Sequence, residues 1–269
     1  MATGKAVATK KDAGLPAFLK DGAYADFEDA GLEQADADSF AIPFLRILQS
    51  TSPQVKKTSG SFIEGAQEGM LINTVTQEIF DLEKDELKLV PVYYRRAFME
   101  WKTREQGGGY VAEHGVLDGL ELMKETERDD KNRDILPNGN QLSDTRYHYV
   151  IIVRNDGTYE PAIITMERTQ TKKSKRLNSD IDIKKKSKGI RFMQAFLYGI
   201  GVVGESKDDN SWWGWDINYS GLVEDQNLFD AAVDFHNRIR AGEVKEATES
   251  LNGGDDAEGG TTVEGKPEY

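Results

Sequence analysis

The chain contains no cysteine among its 269 residues. A disulfide framework, a thiolate zinc site, an iron–sulfur cluster and a thiol nucleophile are thereby excluded. Histidine is scarce, and His114, His148 and His236 stand far apart, which speaks against an all-histidine metal centre. No apolar run reaches the roughly 20 residues that a membrane-spanning helix needs. The opening MATGKAVATKKDAG has no hydrophobic stretch after its charges, unlike a secretory signal. These absences point to a cytoplasmic protein made and kept in a reducing cell. Positive charge is also in deficit: 34 Lys and Arg face 47 Asp and Glu, a net charge of −13. As an average, that argues against nucleic acid and anionic membrane as partners.

Catalytic signatures are missing too. There is no phosphate loop, because Gly107-Gly108-Gly109 is followed by Tyr110 rather than lysine. Neither a His-Glu-x-x-His zinc motif nor a Gly-x-Ser-x-Gly nucleophile elbow occurs. Asp129-Asp130 and Asp208-Asp209 are the acid pairs that a magnesium-dependent nuclease could use, but adjacent acids in polar loops are ordinarily solvated. The expectation is a protein that is not an enzyme, with no cofactor and no metal.

What is present is a run of strand signals between polar ends. Residues 1–38 are rich in Ala, Gly and Asp and read as a flexible N-terminal segment. Residues 39–242 form the domain. Ser61–Glu64, Met70–Thr74, Leu87–Trp101 and Tyr110–Ala112 read as strands. Pro91 marks an edge strand or a bulge. The charged stretch 118–134 reads as an exposed insertion with Leu120 and Met123 as its inner side. Tyr147–Val153 and Tyr159–Ile164 flank Asn155-Asp156-Gly157 and predict a hairpin. Residues 168–188 are a polar, basic stretch. Ile190–Val203 has apolar residues at helical spacing (Ile190, Met193, Leu197, Ile200) and predicts a helix. Trp212–Tyr219 predicts a strand, and Asp225–Ala241 an amphipathic helix. Residues 243–269 read as a disordered acidic tail.

The net charge conceals a segregation. Between Arg168 and Arg191 lie Arg168, Lys172, Lys173, Lys175, Arg176, Lys184, Lys185, Lys186, Lys188 and Arg191, against Asp180 and Asp182 alone. That window is +8, so the remainder is −21. The tail carries −6 and can cover a basic surface until a polyanion displaces it. Arg95 and Arg96 add cations upstream. Tyr93, Tyr94, Trp101, Trp212, Trp213 and Trp215 are aromatic candidates for stacking on bases, although alternation along a strand turns some of them inward. Cations that follow a phosphate backbone, with aromatic faces for unpaired bases, are the ingredients of single-strand binding.

This combination resembles the single-stranded DNA-binding proteins of tailed bacteriophages. Arg168–Arg176 and Lys184–Arg191 match that family's groove cations. Asp255, Asp256, Glu258, Glu264, Glu268 and Tyr269 match its acidic tail with a terminal aromatic residue. Ile42-Pro43-Phe44-Leu45-Arg46-Ile47-Leu48-Gln49 and Val90-Pro91-Val92-Tyr93-Tyr94 with Trp101 likewise look like phage-encoded chains. The resemblance implies a mainly β fold with α additions, an OB-fold-like five-stranded β-barrel with two or three helices. It also implies a protein that coats and protects unpaired DNA in replication or recombination, with a tail that recruits phage or host replication and recombination proteins. A homodimer fits this reading, and a membrane does not. The alternative is a viral structural, assembly or host-regulating protein that docks on other proteins.

Overall fold

The computed structural model of the protein describes residues 41–207 and 210–244. The segment 1–38, almost all of the tail, with Asp255, Asp256, Glu258, Glu264, Glu268 and Tyr269, and the pair Asp208-Asp209 lie outside the described residues.

The centre of the fold is the hairpin of β8 (Gln141–Val153) and β9 (Tyr159–Met166). Its turn forms because Gly157 takes φ +83 and the Asp156 carboxylate accepts from both the amide and the hydroxyl of Thr158, at 2.9 and 2.6 Å. β4 (Lys88–Trp101) pairs antiparallel with β8 along its whole length, from Lys88↔Val153 to Trp101↔Gln141. The register shifts between Pro91 and Tyr93. The proline therefore sits at a bulge inside a central strand, where its missing donor does no harm.

β10 (Phe196–Lys207) and β11 (Asn210–Leu222) form a second long hairpin. It joins β4 only through Tyr198↔Leu89 and Gly199↔Lys88. The short β5 (Tyr110–His114) pairs with the far end of β4. The two-residue strands β6 (Glu127–Arg128) and β7 (Asp134–Ile135) extend β8. A separate small sheet holds β1 (Leu45–Ile47), β2 (Leu71–Asn73) and β3 (Ile79–Phe80). The helices are α1 (Val116–Glu125), α2 (Thr171–Lys188) and α3 (Gln226–Ala241).

Alternate residues of the long strands serve two cores. Leu89, Val150, Ile152, Ile164 and Met166 face α2, which contributes Leu177 and Ile181. Val90, Val92, Tyr149, Ile151 and Ile163 face α3, which contributes Leu228, Ala232 and Phe235. Burial on both faces is why the middle of β8 reads as a continuous apolar run.

The main sheet has the order β11-β10-β4-β8-β7-β6, with β5 added on β4 and β9 on β8. It curls strongly into a six-strand antiparallel half-barrel. The expected closed five-stranded barrel is therefore corrected: β9 and β11 share no ladder. Side chains span the gap instead. Gln49 donates to the carbonyl of Trp213 at 2.9 Å and accepts from its amide at 2.8 Å. Gln170 accepts from the Trp215 amide at 3.0 Å. On the β9 side, the segment before β1 bonds through Ile163 N to Pro43 O at 2.9 Å. Met166 of β9 lines one crevice with Trp215 and Ile217 of β11 and with Lys173 and Arg176 of α2, so the helix lies in the seam.

Other expectations change as well. Ser61–Glu64 is turn rather than strand. Ile190–Val203 is not a helix, because most of it is β10, where Phe196, Tyr198 and Ile200 are buried at period two. Its apolar residues satisfy both periods, and the twelve-pair ladder with β11 decides between them. The basic stretch 168–188 is almost entirely helix. Residues 118–134 carry α1 and the β6–β7 hairpin. The inner side of α1 is Gly119, Leu122 and Met123 against Phe98, while Leu120 is exposed.

Candidate nucleic-acid interface

α2 places eight of the ten predicted cations on one element. Ser174, Leu177 and Ile181 form its buried face, and Gly189 in the left-handed region (φ +66) ends it, its amide reaching the Lys185 and Lys186 carbonyls. Lys185, Lys186 and Lys188 in the last turn complement the negative end of the helix dipole. The first turns do the opposite. No acid stands in the first turn and no side chain caps the N-terminus, while Lys172, Lys173, Lys175 and Arg176 crowd that positive end. Of these, Lys172 and Lys173 stand in the first turn, where a cation costs about 0.3–1 kcal/mol at low salt, and like charges three or four residues apart repel.

The sheet offsets part of this along one flank. Lys173 pairs with Glu205 at 3.0 Å and Arg176 with Asp216 at 3.6 Å. Arg176 also donates to the Asn218 side-chain oxygen. Glu205 gathers Lys173, Gln170 and the Trp212 indole. Burial raises its pKa, but those donors hold it below the usual carboxylate range. Within the helix, Lys186 meets Asp182 at 2.5 Å and Lys184 reaches Asp180 at 3.8 Å. Lys184 and Lys188 also lie over the Tyr219 ring, at 4.7 and 6.0 Å. Arg168, Lys172, Lys175, Lys185 and Arg191 make no ion pair among the described residues, and all but the half-buried Lys185 are exposed. Arg168 stands at φ +49 where β9 turns toward the helix.

The upstream arginines belong elsewhere. Arg95 pairs with Glu113 and lies 4.3 Å above the Tyr147 ring. Arg96 holds Asp144 bidentately at 2.7 and 2.8 Å. Burial pushes Asp144 up, but Arg96 and Arg146 outweigh it and keep its carboxyl below the usual range. These guanidiniums are already matched with carboxylates.

The six predicted stacking residues do not come together on one face. Tyr93 lies edge-on to Tyr149 and His236 in the α3 core. Tyr94 leans on His148 at 5.2 Å on the α2 side. Trp101 meets Tyr110 edge-on at 5.8 Å. Trp212 is tied through its indole N–H to Glu205 at 2.9 Å. Trp213 packs over Gly69, where an added Cβ would stand 3.1 Å from the indole. Trp215 is 3% exposed and is core, so it offers no face to a base. The exposed aromatics that sequence reading passed over are Phe192 and Tyr110. Phe192 was hidden inside a presumed helix.

As for metal chemistry, no cluster of three His, Asp or Glu among the described residues could hold an ion. Asp129 is taken by Arg133, at 2.7 Å.

No curated protein and no solved structure matches the chain. A family of bacteriophage proteins does match, over residues 8–245 and so across both long hairpins and all three helices. By that match the chain belongs to the Pam3 phage gp34-like protein family.

Proposed function

We propose that this phage protein binds single-stranded DNA, and that it coats and protects unpaired strands in replication or recombination without itself being an enzyme. One observation carries the reading. α2 gathers eight cations against two acids of its own, two of the cations in the first turn where its dipole disfavours them, and the sheet neutralises only one flank. A phosphate chain along the other flank supplies the missing counter-charge at Lys172, Lys175 and Lys185, with Arg168 and Arg191 at the two ends. The acidic tail competes for the same cations and recruits replication or recombination proteins when displaced.

Fluorescence anisotropy with a labelled oligo-dT tests this. Affinity should fall steeply with salt, and Lys172→Glu with Lys175→Glu should lower the slope of log K against log salt by about 1.4, near 0.7 for each lost phosphate contact. No binding at low salt, or binding indifferent to salt, defeats the reading.

A second reading, an assembly or host-regulating protein, draws on a different surface. Tyr110, Val111, Val116, Leu117 and Leu120 are exposed apolar residues along β5 and α1, and Leu117 is 82% exposed. Exposed apolar residues gathered in one stretch of chain favour a protein partner, a second copy included. Stable oligomers without affinity for DNA would select this reading.

A further inference from the structure

Two aromatic side chains among the described residues are exposed, Phe192 at 49% and Tyr110 at 41%. Their neighbours along the chain differ in chemistry. Tyr110 begins β5, opposite Trp101, and the chain beyond it runs through Glu113 into α1 with Asp118 and Glu121. Phe192 follows the window 184–191, where Lys184, Lys185, Lys186, Lys188 and Arg191 occur with no acid. The backbone explains its position. Gly189 ends α2, Ile190 and Met193 turn in to pack on the core, and Arg191 and Phe192 between them point out. A phenyl ring has no polar atom to satisfy in water. This one is braced by the half-buried Phe229, with ring centroids 5.5 Å apart at 57°, so its position is set by a packed neighbour.

We infer that Phe192 is the base-stacking platform of the basic surface, where an unpaired nucleobase lies on the ring and the adjoining phosphates meet Arg191 and Lys188. The inference rests on the proposed single-strand binding and adds to it the residue that reads the π-face of a base. None of the sequence-predicted aromatics is exposed in the structure. A stacked base is sequence-tolerant, because every base has a π-face.

The test compares wild type, Phe192→Leu and Phe192→Trp in anisotropy titrations against labelled oligo-dT and against an abasic oligodeoxyribose phosphate of equal length. Leucine keeps the apolar contact with Phe229 and removes the π-face; tryptophan restores one. Phe192→Leu should weaken binding to oligo-dT about 5- to 150-fold, with the salt slope unchanged. Phe192→Trp should bind as well as wild type, and all three proteins should bind the abasic strand alike. If wild type binds oligo-dT and Phe192→Leu binds it equally, Phe192 is not the platform while DNA binding stands. If Phe192→Leu loses the abasic strand to the same degree, the residue acts on the fold or the cations and stacking is refuted. If wild type does not bind oligo-dT, the parent reading falls and takes this inference with it.

Discussion

His148 shows how a single side chain answers to its position. It lies on the α2 side of β8, 3% exposed, with Nε2 2.8 Å from the Ser174 hydroxyl. Burial, aided by the nearby Arg146 charge, pushes its pKa down from 6.5 to about 3. The unfolded chain therefore takes up a proton near pH 6.5 that the native state refuses. The stabilisation is complete above pH 6.5 and is lost as pH falls from there toward 3, by up to about 1.4 kcal/mol per pH unit. Urea unfolding should lose about 2 kcal/mol more between pH 7 and pH 5 in wild type than in His148→Gln; parallel losses would mean the imidazole protonates freely in the fold. Gly119 gives a second test at this scale. Helix propensity alone says that alanine there should gain about 1 kcal/mol. The structure reverses the sign, because a Cβ would come within 2.2 Å of the Phe98 ring, which is fully buried. Gly119→Ala should cost about 1–3 kcal/mol, read as a fall in Tm of several degrees. His148 was visible in the sequence as a histidine within a strand. Its partner on α2 was not, because the contact spans 26 residues and depends on how the helix docks.

At the scale of elements, legibility followed the strength of the local pattern. The β8–β9 hairpin announced itself through Asn-Asp-Gly between two β-branched arms, and α3 through an apolar face at helical spacing, with Asp225 capping its start by accepting from Asn227 N and Leu228 N. α2 did not, because its inner side has only Ser174, Leu177 and Ile181, too little apolar residue to show a period among eight cations. β10 was hidden because its apolar residues fit both periods, and strand pairing with β11 settled it. The open flank of β11 is the element most exposed to error, since an uncovered strand edge invites pairing with another chain. Gln49 covers it with one donor and one acceptor at Trp213. Gln49→Ala should destabilise by roughly 1–3 kcal/mol and promote self-association on warming, followed by urea unfolding and light scattering. Unchanged stability and a monomer throughout would show that the edge needs no such cover.

For the whole molecule, the decisive quantity is where charge sits. A net of −13 speaks against a polyanion partner, and +8 in one window speaks for one. The fold sharpens the contrast by putting most of that window on one helix and spending Glu205 and Asp216 on one flank of it. The acids from 243 onward are numerous enough to compete for the other flank. A chain ending at Gly242 should therefore bind oligo-dT more tightly than the full chain, with the gap closing as salt rises. Equal affinities at low salt would remove the tail from the mechanism.

The sequence by itself determined the strand-rich class, the principal hairpin, the C-terminal helix, the absence of cysteine chemistry and the position of the basic window. Those properties live in composition and in contacts between near neighbours. The tertiary structure alone decided that the barrel stays open, that α2 lies in its seam, that Arg95 and Arg96 belong to carboxylates, and that Phe192 stands exposed while Trp215 is buried. Each of these depends on which distant residues meet when the sheet curls, and no local period or charge count encodes that.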